Sequence, residues 1–152
     1  MKRGFTLMEI MIVIVIMTIL LTIVLTSFSN LNKSQALDKT SSYVASIIEE
    51  ARGNTLFSKN DSQYGVKFET SRIIMFKGST YSSSNPDNVI YDLNNLVTIS
   101  NISLSSGGSE IVFDRLTGNT SQTGTLTLSL VTSTSTKAYV SFSKTGIVEV
   151  TR

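Results

Sequence analysis

The stretch Met1-Lys2-Arg3-Gly4-Phe5-Thr6-Leu7-Met8-Glu9 opens the chain and leads directly into a long apolar segment. No charged residue occurs from Ile10 to Asn32. At ~1.5 Å per residue, a helix of this length extends about 34 Å, enough to cross a hydrocarbon core of ~30 Å. Basic residues before such a helix keep its N-terminus in the cytoplasm. The sequence therefore predicts one membrane-spanning helix near the N-terminus.

Glu9 is the residue in this region that a plain membrane anchor does not explain. A carboxylate at the head of a membrane helix is costly and usually has a partner or a function. A secretory signal peptide is excluded, because its apolar core is only ~7–15 residues long and ends in a small-residue cleavage site. The plain anchor also leaves Gly4-Phe5 unexplained.

These residues resemble the type IV pilin and pseudopilin superfamily. Its members have a short basic leader ending in Gly, followed by Phe-Thr-Leu-x-Glu at the head of an apolar helix. The resemblance implies that a prepilin peptidase cuts between Gly4 and Phe5 and methylates the new amino terminus on Phe5, with Lys2 and Arg3 as the leader charge. It also implies that Glu9 pairs with the terminal amine of a neighbouring subunit during assembly. An unpaired buried charge is unfavourable, so this pair would set the register between subunits.

The rest of the chain predicts an α+β fold, a long N-terminal helix packed on a C-terminal antiparallel β domain. Apolar or small residues recur at helical spacing in the order Leu37, Val44, Ile48, Ala51 and Thr55. The helix is therefore expected from about Phe5 to about Phe57, with a break at Ser58–Asp61. Its first half is predicted to be transmembrane and its second half amphipathic.

Short alternating runs after Asp61 predict antiparallel strands with one wet face. The runs lie at 64–68, 72–76, 88–92, 96–104, 111–113, 126–130, 138–142 and 148–150, with a bulge near Ser100-Asn101 and a turn at Ser133–Thr136. The predicted domains are a cleaved leader at 1–4, a transmembrane and assembly helix at 5–30, its amphipathic continuation at 31–58 and the β-rich domain at 59–152.

This second half is similar to the H-type pseudopilins of type II secretion and the FimT-like minor pilins. Their domains have an Ala-Arg pair late in the helix, an Ile-x-Phe-x-x-x-x-Gly turn and a closing strand–Gly–strand hairpin. The matching positions here are Ala51-Arg52, Ile111 to Gly118, and Phe142 to Val148 around Gly146.

Composition argues against an enzyme. The chain has no His and no Cys, which removes the common metal, triad and thiol chemistries and any disulfide. It has 13 basic and 11 acidic residues, so loss of Lys2 and Arg3 would leave no net charge. Asp87 with Asp92, or Asp114 with Asn119, could offer oxygen ligands to Ca²⁺, but Asp and Asn in turns are far more often local turn formers. We therefore expect no cofactor and no metal.

Two functions from different classes follow. The first is a structural subunit, expected to be minor, of a type IV pilus or type II secretion pseudopilus. Its implied partners are other pilin subunits, the prepilin peptidase and the inner-membrane assembly platform. It would be a single-pass protein of the cytoplasmic membrane with its C-terminal domain outside the cytoplasm.

The alternative is a membrane-anchored surface binding module, for example a DNA-binding minor pilin of a competence system. Lys137, Lys144 and Arg152 are the candidate DNA contacts. Three cations within 16 residues are a sparse pattern for a surface that binds nucleic acid. The pattern therefore favours a solvated face over a nucleic-acid interface.

Overall fold

The computed structural model describes residues 4–152, without the side chains of Thr26, Ser29 and Asn30. The predicted leader charges Lys2 and Arg3 lie outside the described residues. By their internal contacts, the elements divide into two compact units, one ending at Gln35 and the other covering residues 36–152.

The described part of the chain consists of one long helix followed by short antiparallel strands. In order, the elements are α1 (Leu7–Leu56), a single 3-10 turn (Lys59–Asp61), β1 (Tyr64–Phe68), β2 (Arg72–Lys77), β3 (Val89–Asp92), β4 (Val97–Leu104), β5 (Glu110–Val112), β6 (Gly124–Leu130), β7 (Ser133–Phe142) and β8 (Val148–Thr151). The predicted α+β class is confirmed. Helix α1 contributes residues to both units.

The part of α1 that belongs to the first unit has an apolar exterior. Leu7–Leu25 is long and apolar enough to cross a membrane, and none of it is buried within the protein. Thr18 and Thr22 donate hydroxyl hydrogen bonds to helix carbonyls three and four residues earlier, at 2.8–3.0 Å. Hydroxyl groups satisfied inside the helix need no water, so this stretch suits a hydrocarbon environment.

The part of α1 in the second unit is amphipathic, as its spacing predicts. Leu37, Val44, Ile48, Ala51 and Thr55 are all completely buried. The intervening positions that carry charge, such as Lys39 and Glu49, are exposed. The predicted core-facing stripe is therefore confirmed residue by residue.

Helix α1 ends where the sequence predicts a break. Ser58, Asn60 and Asp61 adopt φ values of 47°, 54° and 52°, in the left-handed region. Such angles cannot continue a right-handed helix, and after glycine it is Asn and Asp, as at positions 60 and 61, that adopt them most readily. The chain turns here and enters β1.

The strands form two four-stranded sheets, in the orders β3-β2-β1-β5 and β4-β6-β7-β8, with every pair antiparallel. The predicted hairpin of β1 and β2 is confirmed, with Phe68 opposite Ile73. The register of β4 shifts between Ile99 and Asn101, which is the predicted bulge. The division into two sheets was not predicted from the sequence.

The prediction of a turn at Ser133–Thr136 is wrong. Strand β7 already begins at Ser133, and Leu130 of β6 pairs with Ser133 across a turn of only two residues. The register then shifts, so that Ser129 pairs with Lys137 and Thr134–Thr136 are absorbed as an irregularity within the strand. Threonine is β-branched and favours extended backbone, which outweighs the polarity that indicated a turn.

The core of the second unit lies between α1 and the inner faces of both sheets. Val66 of β1, together with Leu126 and Leu128 of β6, is fully buried in one cluster with the α1 stripe. Phe68 and Phe142 join the sheets by stacking, with ring centroids 6.2 Å apart. One continuous core of this kind is what an independently stable domain requires.

A truncated chain that begins at Asn32 is expected to be soluble and monomeric without detergent. The truncation removes the uncharged membrane segment but keeps the amphipathic part of α1, whose apolar residues Val44 and Ile48 are already covered. Size-exclusion chromatography with light scattering measures the mass. Persistent aggregation would show that this face of α1 is not covered in solution.

Candidate functional site

The predicted cleavage point lies just before α1 in a segment without regular secondary structure. Gly4, Phe5 and Thr6 are all exposed, and Phe5 exposes 79% of its surface. A Cβ added at Gly4 would meet nothing within 4 Å. The peptide bond between Gly4 and Phe5 is therefore open to an approaching enzyme, which suits the predicted cleavage.

Thr6 caps the N-terminus of α1. Its Oγ1 accepts a hydrogen bond from the backbone N–H of Glu9 at 3.2 Å, and its carbonyl accepts one from Ile10 at 3.3 Å. The sequence from Thr6 to Glu9 has the Thr-x-x-Glu pattern of a capping box, of which the structure shows the bond to the Thr6 side chain. An acidic side chain at this position also favours the positive end of the helix dipole. Sequence analysis missed this role, although the Thr-x-x-Glu pattern was visible. The exposed carboxylate of Glu9 consequently has a local role besides any role in assembly.

The three segments that resemble the H-type pseudopilins contact one another near the end of α1. Arg52 donates a hydrogen bond from Nε to the carbonyl of Gly118 at 3.1 Å. Gly118 and Gly146 have φ of 63° and 73°, where glycine is strongly favoured. A Cβ at Gly146 would lie 2.6 Å from the Gly118 carbonyl oxygen and against the Arg52 side chain. These matching residues therefore form a joint between the helix and two loops.

Thr55 forms a second joint between α1 and the β domain. Its Oγ1 accepts a hydrogen bond from the backbone N–H of Tyr64 and donates one to the carbonyl of Ala51, both at 2.9 Å. Because Thr55 is fully buried, loss of the hydroxyl would leave the Tyr64 N–H without this partner. The helical spacing had identified Thr55 as core but not as a link to β1.

The three candidate DNA contacts do not form one patch. Arg152 donates from Nη1 to both carboxylate oxygens of Asp38 at 2.8 and 2.9 Å, which offsets its charge. Lys137 lies near Arg152, since Tyr139 pairs with Thr151 in the sheet. Lys144 lies beyond the other end of β7, roughly 20 Å from Lys137 along the strand direction.

No metal centre is visible in the part of the chain that the structure describes. There, no three His, Cys, Asp or Glu residues approach closely enough to hold a metal ion. Asp87 lies 3.8 Å from the ammonium of Lys77, and the backbone N–H of Asp114 donates to the carbonyl of Asn119 at 2.8 Å. The carboxylate of Asp87 thus lies beside a cation, and the backbone of Asp114 closes its turn.

Comparison with known proteins supports both the N-terminal motif and the fold. Residues 1–25 match the prokaryotic N-terminal methylation motif. The comparison with curated proteins gives no match. The similarity beyond the motif is carried by solved structures, which cover 76–78% of this chain.

Two crystal forms of the type IV minor pilin FimU from Pseudomonas aeruginosa are similar to this chain. One has a TM-score of 0.60 at 12% identity and covers 78% of this chain and 90% of FimU. The other has a TM-score of 0.58 at 13% identity, covering 76% and 93%. The minor pseudopilin EpsH of the type 2 secretion system of Vibrio cholerae has a TM-score of 0.52 at 9% identity, covering 76% and 95%. At these identities the likeness is one of fold.

Proposed function

We infer that this chain is a member of the type IV pilin and pseudopilin superfamily and a structural subunit of a type IV pilus or a type II secretion pseudopilus. The observation that carries this conclusion is the combination of the methylation motif at residues 1–25 with a fold similar to FimU and EpsH. The motif accounts for processing and the long helix for assembly. A plain membrane anchor requires a spanning helix but not the methylation motif.

The residues of the N-terminal segment receive the following roles in this proposal. Prepilin peptidase cuts the exposed bond between Gly4 and Phe5 and methylates the amine of Phe5. The leader charges Lys2 and Arg3 hold this end of the chain at the cytoplasmic surface. Glu9 then pairs with the cationic terminus of a neighbouring subunit at the edge of the apolar phase.

The proposed topology follows from the apolar segment. Leu7–Leu25 spans the cytoplasmic membrane before assembly, and the unit formed by residues 36–152 lies outside the cytoplasm. An inner-membrane assembly platform moves the processed subunit from the bilayer into a filament of sister pilins. The domain limits are a leader at 1–4, an assembly helix at 5–30, its continuation at 31–58 and a β domain at 59–152.

A minor subunit of the H-type or FimT-like branch is the finer proposal. FimU is a minor pilin and EpsH a minor pseudopilin by name, and both share the fold. The joint between Arg52, Gly118 and Gly146 uses the residues that resemble this branch. DNA binding is less favoured, because Arg152 is paired and Lys144 lies apart from Lys137.

Mass spectrometry of the protein from cells with an active prepilin peptidase is expected to find Phe5 as the first residue, carrying one added methyl group. The exposed Gly4–Phe5 bond and the methylation motif lead to this result. Gly4→Ala is expected to slow or abolish cleavage if the peptidase requires glycine there. Intact protein beginning at Met1 would contradict the proposed processing.

Incorporation into a filament tests the function itself. Sheared surface filaments, or filaments formed when the assembly system is overproduced, are expected to contain the processed chain, detected by a specific antibody. Processed chain that stays entirely in the membrane fraction, in cells whose sister pilins do assemble, would argue for a simple anchored surface protein.

A further inference from the structure

Two tyrosines and a carboxylate form a small surface cluster where α1 meets the edge strand β3. The rings of Tyr43 and Tyr91 meet edge to face, with centroids 6.3 Å apart and planes inclined at 73°. The hydroxyl of Tyr91 donates a hydrogen bond to Oε2 of Glu50 at 3.3 Å. We call these three residues the tyrosine notch.

The positions of these residues in the fold keep the notch accessible. Tyr43 and Glu50 lie seven residues apart on α1, about two turns, so both project from one side of the helix. Ile47 between them is buried in the core, whereas Tyr43 remains 44% exposed and Glu50 is exposed. The notch therefore lies at the border between the core and solvent.

The negative charge of Glu50 makes the notch suited to binding a cation. Glu50 forms no ion pair with any residue in the range 4–152, although five other carboxylates there do. Among the described residues, the hydrogen bond to its carboxylate comes from Tyr91 and engages Oε2, which leaves Oε1 available. Burial, followed by the charge and hydrogen bond of Glu50, raises the pKa of Tyr91 to about 12, so its hydroxyl stays protonated and neutral at physiological pH.

The charged groups on the elements around the notch are few. Lys39 lies one helical turn before Tyr43, and Glu49 is next to Glu50 on α1. On the strand side, Asp92 follows Tyr91 and is opposite Arg72, which pairs with Glu69. The described structure thus supplies no cation that neutralises Glu50.

We propose that the tyrosine notch binds a basic side chain, an arginine or a lysine, presented by a neighbouring subunit of the filament. Aromatic faces attract a guanidinium or ammonium group, and perpendicular rings beside a carboxylate suit a cation better than a neutral group. Val89, on the same face of β3 and 44% exposed, offers an apolar surface to the methylene stem. The identity of the partner rests on the proposed function, but the chemistry of the ligand does not.

A direct test uses the full chain in detergent micelles and follows the ring resonances of its tyrosines by NMR. The probe is N-acetyl-arginine amide, and the control ligand is N-acetyl-citrulline amide, which has the same shape without the charge. With the arginine probe, we expect shifts of the Tyr43 and Tyr91 ring resonances that reach saturation. The citrulline ligand is expected to bind more weakly, by about fivefold or more. Equal responses to both ligands would overturn the proposal.

Glu50→Gln gives the matched variant for this titration. Glutamine can still accept the hydrogen bond from Tyr91, so the fold and the ring geometry are kept while the charge is lost. We expect affinity for the arginine probe to fall about fivefold. Glu49→Gln removes a neighbouring charge outside the notch and is expected to leave affinity unchanged. If both variants bind like wild type, or both weaken alike, the notch is not the site.

A test in cells separates this inference from the proposed function. Glu50→Arg places a cation in the notch and is expected to reduce crosslinking to sister subunits severalfold, while cleavage at Gly4–Phe5 continues. Wild type and Glu49→Gln serve as controls. Normal crosslinking of Glu50→Arg would overturn the notch as an interface, whereas failure of wild type itself to enter filaments would overturn the proposed function.

Discussion

Glu9→Gln is expected to leave membrane insertion and cleavage intact and to reduce incorporation into filaments by about tenfold or more. The apolar segment and the Gly4–Phe5 bond are unchanged by this substitution. What changes is the charge attraction between position 9 and the terminal amine of the next subunit. That amine would then enter an apolar bundle unpaired, which is unfavourable by several kcal/mol when desolvated.

The capping box makes glutamine the appropriate replacement. The backbone N–H of Glu9 donates to Thr6 Oγ1, and glutamine is accepted at this position of the motif as readily as glutamate. Glu9→Gln therefore keeps the hydrogen bond to Thr6 and loses only the charge, including its small contribution at the positive end of the helix dipole. Thr6→Ala supplies the complementary control, because it removes the cap and keeps the charge.

The measurement is the fraction of cleaved protein in sheared filaments or crosslinked to sister pilins. Thr6→Ala is expected to assemble better than Glu9→Gln, since the charge pair is retained. Incorporation of Glu9→Gln at the wild-type level would show that the carboxylate does not set the register between subunits.

Local patterns made much of the fold predictable from the sequence. The buried stripe of α1 has the period of one helix face, and the hairpin of β1 and β2 has strict spacing and a short loop. The bulge in β4 was visible as a change of parity near Ser100. Each of these signals lies within about twenty residues, where backbone geometry alone relates sequence to structure.

Long-range pairing was not predictable in the same way. Strand β1 pairs with β5, so that Gly65 lies opposite Val112, and β4 pairs with β6 to build the second sheet. Nothing in the alternation of either strand identifies its partner. The start of β7 at Ser133 was predicted as a turn because a run of polar residues on a solvent-exposed face of a sheet has the same composition as a turn.

The N-terminal motif could be recognised in the sequence because it is compact, whereas the contacts that support the fold could not be predicted. Gly4, Phe5 and Glu9 lie within six positions and precede an apolar segment. By contrast, the links between Arg52 and Gly118, and between Tyr91 and Glu50, join residues 66 and 41 positions apart. A single sequence contains no distance information of that kind.

Gly65 illustrates such a hidden requirement and carries the largest expected effect on stability. It lies in β1 between two neighbouring strands, opposite Phe76 on one side and Val112 on the other. A Cβ added there would lie 2.6 Å from the Ile111 carbonyl oxygen and even closer to the ring of Phe76. The Phe76 ring is buried and is covered in turn by Tyr81, with centroids 5.7 Å apart.

Gly65→Ala is therefore expected to destabilise the β domain by about 3 kcal/mol, near the upper end for overpacking. The added methyl group must displace the Phe76 ring and with it Tyr81, which holds the loop between β2 and β3 against the sheet. For a domain of this size the loss corresponds to a Tm lower by roughly 10 °C. Thermal unfolding of the chain that begins at Asn32, followed by circular dichroism, measures the change.

Two further variants test whether the close approach to Phe76 is the cause. Phe76→Leu shortens the opposing side chain, so it is expected to destabilise the Gly65→Ala chain less than it destabilises wild type. Gly53→Ala is the matched control, because a Cβ there meets nothing within 4 Å and alanine favours a helix interior by about 1 kcal/mol. If Gly53→Ala raises the Tm while Gly65→Ala leaves it unchanged, β1 and Phe76 are not packed as closely as the structure shows. Equal effects of Phe76→Leu in both backgrounds would instead trace the destabilisation to the Ile111 carbonyl, because only that contact is independent of the ring.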